Sequence, residues 1–359
     1  MPEVAMARRV RKGKRLARRD GVRRTARRKK ARDSARRYTK GVNLRSLAVE
    51  AVLLCKDMEA EKVLQLLREV KEYRLKLEIC EEDVKEVLAG RLPEWYVPSV
   101  LYLALKGDRS NGRKPLKMPL PAPELAEALG GMASDVGNSS ALYTTEWEHA
   151  IKFSELMTAV TGIKHEPRKL KEKKLREGKT CTIWRIETSS ALHYLLHTGL
   201  YKVIALRQPS EFLRGLFDGD GCITAGIYDG GFYFELKSSL NKDEEDLVEF
   251  VEELMKRKYG IKMAIKREGK TVVLYSRNEF VIRKFAKEIG FRLSRKQRRL
   301  ERLLSILELR GKARVGEFIK IREEWYEDYR FRGENENPKI GSRGCSGALH
   351  GLSIRDHRE

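Results

Sequence analysis

The run Phe212-Leu213-Arg214-Gly215-Leu216-Phe217-Asp218-Gly219-Asp220-Gly221-Cys222 is mostly apolar, carries small residues four apart at Gly215 and Gly219, and stops at a carboxylate, Asp220. A spacing of four places small residues on one helix face, where two backbones can approach closely. A run 85 residues earlier repeats the arrangement. Laid in register, Gly130 meets Gly215, Ser134 meets Gly219 and Asp135 meets Asp220, with Gly131 beside the first pair. Helices crossing on these faces bring the two acids together. Paired carboxylates repel and stay ionised most easily when they share a hard cation, for which oxygen ligands suit Mg²⁺. The chemistry that fits is metal-assisted phosphodiester hydrolysis.

The elements that must position these acids follow one order twice between residues 124 and 305. An apolar helix ends in an acid (Glu124 to Asp135; Glu211 to Asp220), then comes strand-like sequence, then a helix (Glu146 to Val160; Asp243 to Tyr259). A basic hairpin follows (Ile163 to Glu187; Ile261 to Ser276), and a last helix closes each copy (Ser190 to Leu196; Asn278 to Ile289). A shared order of elements is the mark of a repeat. Thr182, Trp184 and Ile186, like Val272 and Leu274, alternate with polar neighbours, the period of strands with one face on helices and one face open. Lys169, Lys171 and Lys173, with Arg185, Lys237, Lys266 and Arg267, are the basic residues on these strands expected to track phosphates. Solvation of a charged hairpin is the plain alternative for such lysines.

Upstream, apolar residues recur at three and four from Leu44 onward, as in amphipathic helices. The expected organisation is a basic arm over 1–42, a helical domain over 43–107 and a Pro-rich linker over 108–123. Two halves over 124–205 and 206–305, a helical extension over 306–332 and a disordered tail over 333–359 complete it. Gly107 to Lys114 imitates a nucleotide loop, but Arg113 stands where its lysine belongs. Asp218-Gly219-Asp220-Gly221 likewise fails as a calcium loop, because Ile223 stands at the sixth position, where that loop needs Gly.

The chain has 359 residues with 75 Lys and Arg against 52 acids, a formal charge of +23. Residues 1–40 alone hold 18 of the basic residues and 3 acids, so the arm dominates the net charge. That balance points to a polyanionic partner, DNA or, through the arm, RNA. Five cysteines without a CxxC pair indicate neither a disulfide framework nor a zinc knuckle. No apolar run approaches the roughly 20 residues of a membrane span, and the N-terminus has no apolar signal region. A soluble cytoplasmic protein, associated with a prokaryotic nucleoid, is the expectation.

Leu213 to Gly221 resembles the signature of LAGLIDADG homing endonucleases, with its Gly, its two Asp and its final Gly; Ala128 to Val136 is a degenerate version. The resemblance is to the single-chain, two-motif form. It implies an α+β fold of two pseudo-symmetric αββαββα halves, with antiparallel β-saddles packed around two central motif helices. The implied activity is Mg²⁺-dependent double-strand DNA cleavage at a long site by a monomer. Carried over, Asp135 and Asp220 become metal ligands assisted by the main-chain carbonyls of Ser134 and Gly219. Asn241-Lys242-Asp243 matches the context of the family's lysine, so Lys242 becomes a catalytic group that polarises water or developing charge.

The first half departs from the pattern. Asp135 and Glu146 are 11 positions apart, against 22 from Asp220 to Lys242; Glu146 replaces the lysine and Val136 the final glycine. A lopsided DNA footprint is expected. The ends lack a splice-competent His-Asn, which favours an intron-encoded or free-standing protein over an intein. The alternative is a non-cleaving relative, an intron RNA maturase or a DNA-binding regulator.

Overall fold

The computed structural model describes residues 43–309 except 79, 111–113, 137–140, 175–179, 229–230, 242–244 and 270. The basic arm, the C-terminal tail and Lys242 lie outside the described residues. The chain is α+β, built of helices and two antiparallel sheets.

Four helices come first: α1 (Leu44–Leu53), α2 (Ala60–Glu72), α3 (Glu81–Leu88) and α4 (Val100–Leu105). Local capping explains their starts. Asn43 Oδ1 accepts from Ser46 N at 2.6 Å ahead of α1, and Ser99 Oγ accepts from Tyr102 N at 3.1 Å ahead of α4. Their apolar faces join the rest of the molecule in one buried cluster, from Ala48 and Val52 through Leu129 and Phe212 to Leu303. The Pro-rich stretch expected to act as a linker is packed down. Leu116 is buried and its N–H reaches Ala104 O at 2.9 Å, while Lys117 N donates to Val160 O at 2.8 Å.

Buried polar contacts tie this helical region to the two halves. The Glu50 carboxylate, wholly inaccessible, accepts Tyr194 Oη at 2.7 Å and Tyr96 Oη at 3.3 Å. Burial raises its pKa, against the three hydroxyl hydrogen bonds that lower it. Lys202 Nζ, also buried, donates to Tyr73 O at 3.1 Å and pairs with Asp246 at 2.9 Å.

The first half contains α5 (Ala122–Gly131), a π-turn (Met132–Val136), β1 (Ala141–Thr144), α6 (Trp147–Thr161), β2 (Arg168–Lys174), β3 (Thr180–Glu187) and α7 (Ser190–Thr198). Helix α8 (Tyr201–Arg207) leads into the second half. There α9 (Pro209–Asp220), β4 (Gly221–Tyr228), β5 (Gly231–Asn241), α10 (Glu245–Tyr259), β6 (Ala264–Glu268), β7 (Thr271–Ser276) and α11 (Glu279–Glu288) succeed one another. Helix α12 (Ser294–Leu309) comes last and runs across the boundary expected between 305 and 306.

The second sheet has the order β4-β5-β7-β6 and the first β1-β3-β2, so the first lacks a counterpart of β4 among the described residues. Among the described residues the αββαββα order is therefore seen in the second half only. The described strand β1 follows the π-turn after 4 positions that lie outside the described residues.

Candidate active site at the motif-helix crossing

Helices α5 and α9 cross through their glycines. A Cβ on Gly130 would lie 2.0 Å from the Phe212 carbonyl oxygen, and one on Gly215 2.0 Å from the Glu127 carbonyl oxygen. Backbone meets backbone there, so only glycine fits. Gly131 is looser: its added Cβ would meet a Phe153 ring carbon at 3.4 Å, an ordinary contact. At the lower end a Cβ on Gly219 would lie 1.9 Å from Ser134 Oγ and 3.0 Å from Asp135 Oδ2. The Ser134 hydroxyl thus fills the notch left by the glycine just before Asp220, with the Asp135 carboxylate at its edge, and the register Ser134 to Gly219 is observed.

The first motif reaches this point differently from the second. Helix α5 stops at Gly131, and the wider π-turn over Met132–Val136 presents Asp135, where the sequence suggests one helix through to the acid. Asp135 Oδ2 lies 3.8 Å from Nδ1 of His149, a buried residue on α6. Glu146, at the position where the family's lysine is expected, pairs with Arg295 at 3.1 Å. Burial pushes the Glu146 carboxyl up, but the Arg295 guanidinium and its hydrogen bonds, aided by His149 and Lys296, hold it at about 2.

The segment from Arg292 to Lys296 locks both motif helices, and sequence reasoning missed it. Asp218, buried in the second motif, accepts Arg292 N at 3.0 Å and Leu293 N at 3.2 Å. Burial raises its carboxyl to about 6, against Lys296 and those two N–H donors. Arg292 also pairs with Glu127 of α5 at 3.1 Å. From the first half, Glu148 Oε1 accepts Ser294 N at 2.8 Å and Lys152 Nζ donates to Arg292 O. Lys296, 5% exposed, donates to the carbonyls of Phe217 at 2.9 Å, Asp218 at 2.6 Å, Gly219 at 3.1 Å and Gly221 at 2.7 Å. An ammonium there complements the negative end of α9. The one sequence signal for it was Asp218, a second acid inside an apolar motif that needed a buried partner.

These contacts bear on the metal expected from the resemblance. Asp135 Oδ2 lies beside the Gly219 Cβ position, and Asp220 follows as the last residue of α9; carboxylate oxygens are the donor type that fits a divalent cation. The Gly219 carbonyl already accepts from Lys296 at 3.1 Å, which leaves it one further lone pair. Among the described residues no group of three or more His, Cys, Asp or Glu is arranged to hold a metal ion.

Strand register sorts the basic residues by face. On β7, Val272, Leu274 and Ser276 are buried toward the helices while Val273 and Tyr275 face out. Lys237 pairs with Tyr275 and Lys266 with Val273, so both lie on the open face; Arg267 pairs with Val272 on the covered face and bridges to Glu245 of α10 at 2.9 Å. Arg267 is therefore removed from the expected DNA-reading set. In the first sheet Arg185, opposite Tyr143 and Arg168, shares the open side with Lys171, opposite Ile183. Lys169 pairs with Trp184 across an irregularity and bridges to Glu172 at 2.7 Å, which takes it off that face.

Residues 207–290, the second motif helix and the elements that follow it, match the family model described as a LAGLIDADG-like domain. An uncharacterized protein of Methanocaldococcus jannaschii is 28% identical over 149 residues, covering 35% of this chain and 49% of that protein. The chain thus spans about half the length of this curated relative. Among solved structures, the N-terminal LAGLIDADG domain of WhiA is similar at 19% identity with a TM-score of 0.35, over 47% of this chain and 83% of that one. The homing endonuclease I-WcaI bound to its DNA recognition sequence is similar at 14% identity with a TM-score of 0.37, over 48% and 83%. No helix among the described residues is long and apolar enough to cross a membrane.

Proposed function

We propose that the chain is a sequence-specific DNA endonuclease that hydrolyses phosphodiester bonds of duplex DNA where its two motif helices meet. The observation that carries this reading is the glycine crossing, which seats the Asp135 carboxylate 3.0 Å from the Cβ position of Gly219, directly before Asp220. Both motifs lie on one chain, which supports a monomer. The open sheet faces carry Lys237, Lys266, Lys171 and Arg185 toward the phosphates. Asp135 and Asp220, with the main-chain carbonyls of Ser134 and Gly219, would hold a Mg²⁺ ion, which when bound would supply water activation and stabilisation of the leaving oxygen. Lys242 assists by polarising the developing charge. Lys296 fixes the end of α9 and so the direction of Asp220.

A second reading is favoured by Lys296 itself. An ammonium already fills the carbonyl end of α9, and Glu146 is tied to Arg295, an arrangement equally suited to a relative that binds DNA without cutting. One experiment separates the two. A duplex selected for binding from a random-sequence pool in Mg²⁺-free buffer is then incubated with Mg²⁺. The nuclease reading expects cutting by the wild type and binding without cutting by Asp220→Asn. Binding without cutting by the wild type establishes the second reading, and equal cutting by both proteins refutes the acid assignment.

A further inference from the structure

Away from the motif crossing, a cavity of about 240 Å³ opens beside the end of β3. Its wall is basic: Lys114, Lys164, Arg168 and Arg185 line it, with His165 and the acids Glu166 and Glu187. Glu166 is matched by Lys164 at 2.6 Å. Glu187 alone among the lining residues faces the other three cations, with Lys114 at 3.3 Å, Arg185 at 3.4 Å and Arg168 at 3.9 Å. One carboxylate cannot neutralise three cations. The His165 imidazole adds no charge near neutral pH, because burial and then Lys114 lower its pKa to about 4. The cavity therefore keeps a surplus of two positive charges.

Arg185 Nε is buried and has no hydrogen-bond partner among the described residues. The remainder of that guanidinium is partly exposed and lines a pocket already short of negative charge, the setting that a tetrahedral oxyanion satisfies, since Arg presents several donors to phosphate. Register fixes the context. Arg185 and Arg168 lie directly opposite each other on the open face of the first sheet. Lys114 reaches them from the segment before the first motif, held by Ser189 Oγ donating to the Lys114 carbonyl at 3.2 Å.

We infer that this cavity is a phosphate site that clamps one backbone phosphodiester of the bound duplex, with Arg185, Arg168 and Lys114 as its donors and Glu187 as the resident anion the phosphate competes with. The inference rests on the reading of the chain as a duplex-DNA-binding protein. It gives the shortened half an anchor where β2 and β3 meet Lys114, and it brings the region upstream of the first motif into DNA contact.

The test uses the full chain and the selected duplex, in Mg²⁺-free buffer over a salt series, read by fluorescence anisotropy. Arg185→Gln, and independently the more exposed Arg168→Gln, should weaken binding and each reduce the slope of log K against log salt by about 1. Glu187→Gln should tighten binding, whereas a salt bridge that merely holds the fold would leave affinity unchanged or lower it. Unchanged slopes in both arginine variants, together with no tightening in Glu187→Gln, overturn the inference. A parallel melting series with inorganic phosphate separates the sources. Stabilisation of the wild type but not of Arg185→Gln, with duplex slopes unchanged, shows a site for free phosphate and overturns the backbone assignment. Wild type that binds no duplex defeats the broader reading instead, and the melting series reports on the pocket by itself.

Discussion

The two halves meet at one crossing but reach it by different means. In the second half a regular helix runs to Asp220, and a four-stranded sheet continues from Gly221. In the first half the helix breaks into a π-turn to present Asp135, and the sheet after it has three strands among the described residues. The glycines are matched across the crossing because the contact is shared: a side chain on either helix meets the other's backbone. The sheets are free to differ, because each has its own open face. Constraint is reciprocal where backbones touch and private where strands face outward.

The largest effect should come from breaking the shared contact. Gly215→Val puts atoms where the Glu127 carbonyl sits, and it should cost at least about 4 kcal/mol or abolish cooperative unfolding. Gly131→Ala, facing the Phe153 ring instead, should cost under about 1 kcal/mol. Denaturant unfolding of the two variants checks this, and equal losses would mean that the crossing is not backbone-limited.

Next comes the lock from α12. Removing the buried ammonium in Lys296→Met strands four carbonyls and should cost about 3 kcal/mol. Arg295→Met, which leaves Glu146 unpartnered, should cost rather less, about 2 kcal/mol, because that pair is partly exposed. A reversed order, read from the same unfolding curves, would shift the weight of the lock to the first half.

The acids of the two halves should titrate in opposite senses. Glu146 has a folded pKa of about 2, below its ordinary value of 4.5, so its contribution is fully present above 4.5 and lost as pH falls toward 2. Asp218, raised to about 6 from 3.8, binds its proton more readily when folded, so its ionisation lowers stability as pH rises from 3.8 through 6. Stability measured against pH should lose its acid-side fall in Glu146→Gln and its decline toward pH 6 in Asp218→Asn, each by roughly 2 kcal/mol. Curves that match the wild type would contradict both placements.

The smallest effect separates the two faces of the second sheet. Lys237→Gln should reduce the salt slope of duplex binding by about 1 and cost roughly 1 kcal/mol of affinity, whereas Arg267→Gln should leave the slope unchanged. Equal slope changes would mean that the register does not sort the faces.

Much of this arrangement is legible in sequence. Small residues four apart and a terminal acid in two copies indicate the crossing and its register, because helix periodicity and steric approach depend on local spacing. The shortened first half is legible in length alone, since only 11 positions separate Asp135 from Glu146 against 22 from Asp220 to Lys242. The hidden features depend on contacts made across the fold. The π-turn leaves no mark in Met132 to Val136, and the role of Lys296 arises only when α12 folds back onto α9, more than 70 residues away. Arg267 and Lys266 are neighbours in sequence, and only the pairing of β6 with β7 shows that they point to opposite faces.

The central claim is that Asp135 and Asp220 form one reacting centre despite the unequal halves around them. Its most direct test is a strand-resolved cleavage assay on the selected, end-labelled duplex with Mg²⁺, run for the wild type, Asp135→Asn and Asp220→Asn at matched occupancy. The wild type should cut, both variants should bind within about twofold of wild-type affinity, a difference under ~0.5 kcal/mol, and neither variant should cut. Cutting at the wild-type rate by either variant would contradict the claim.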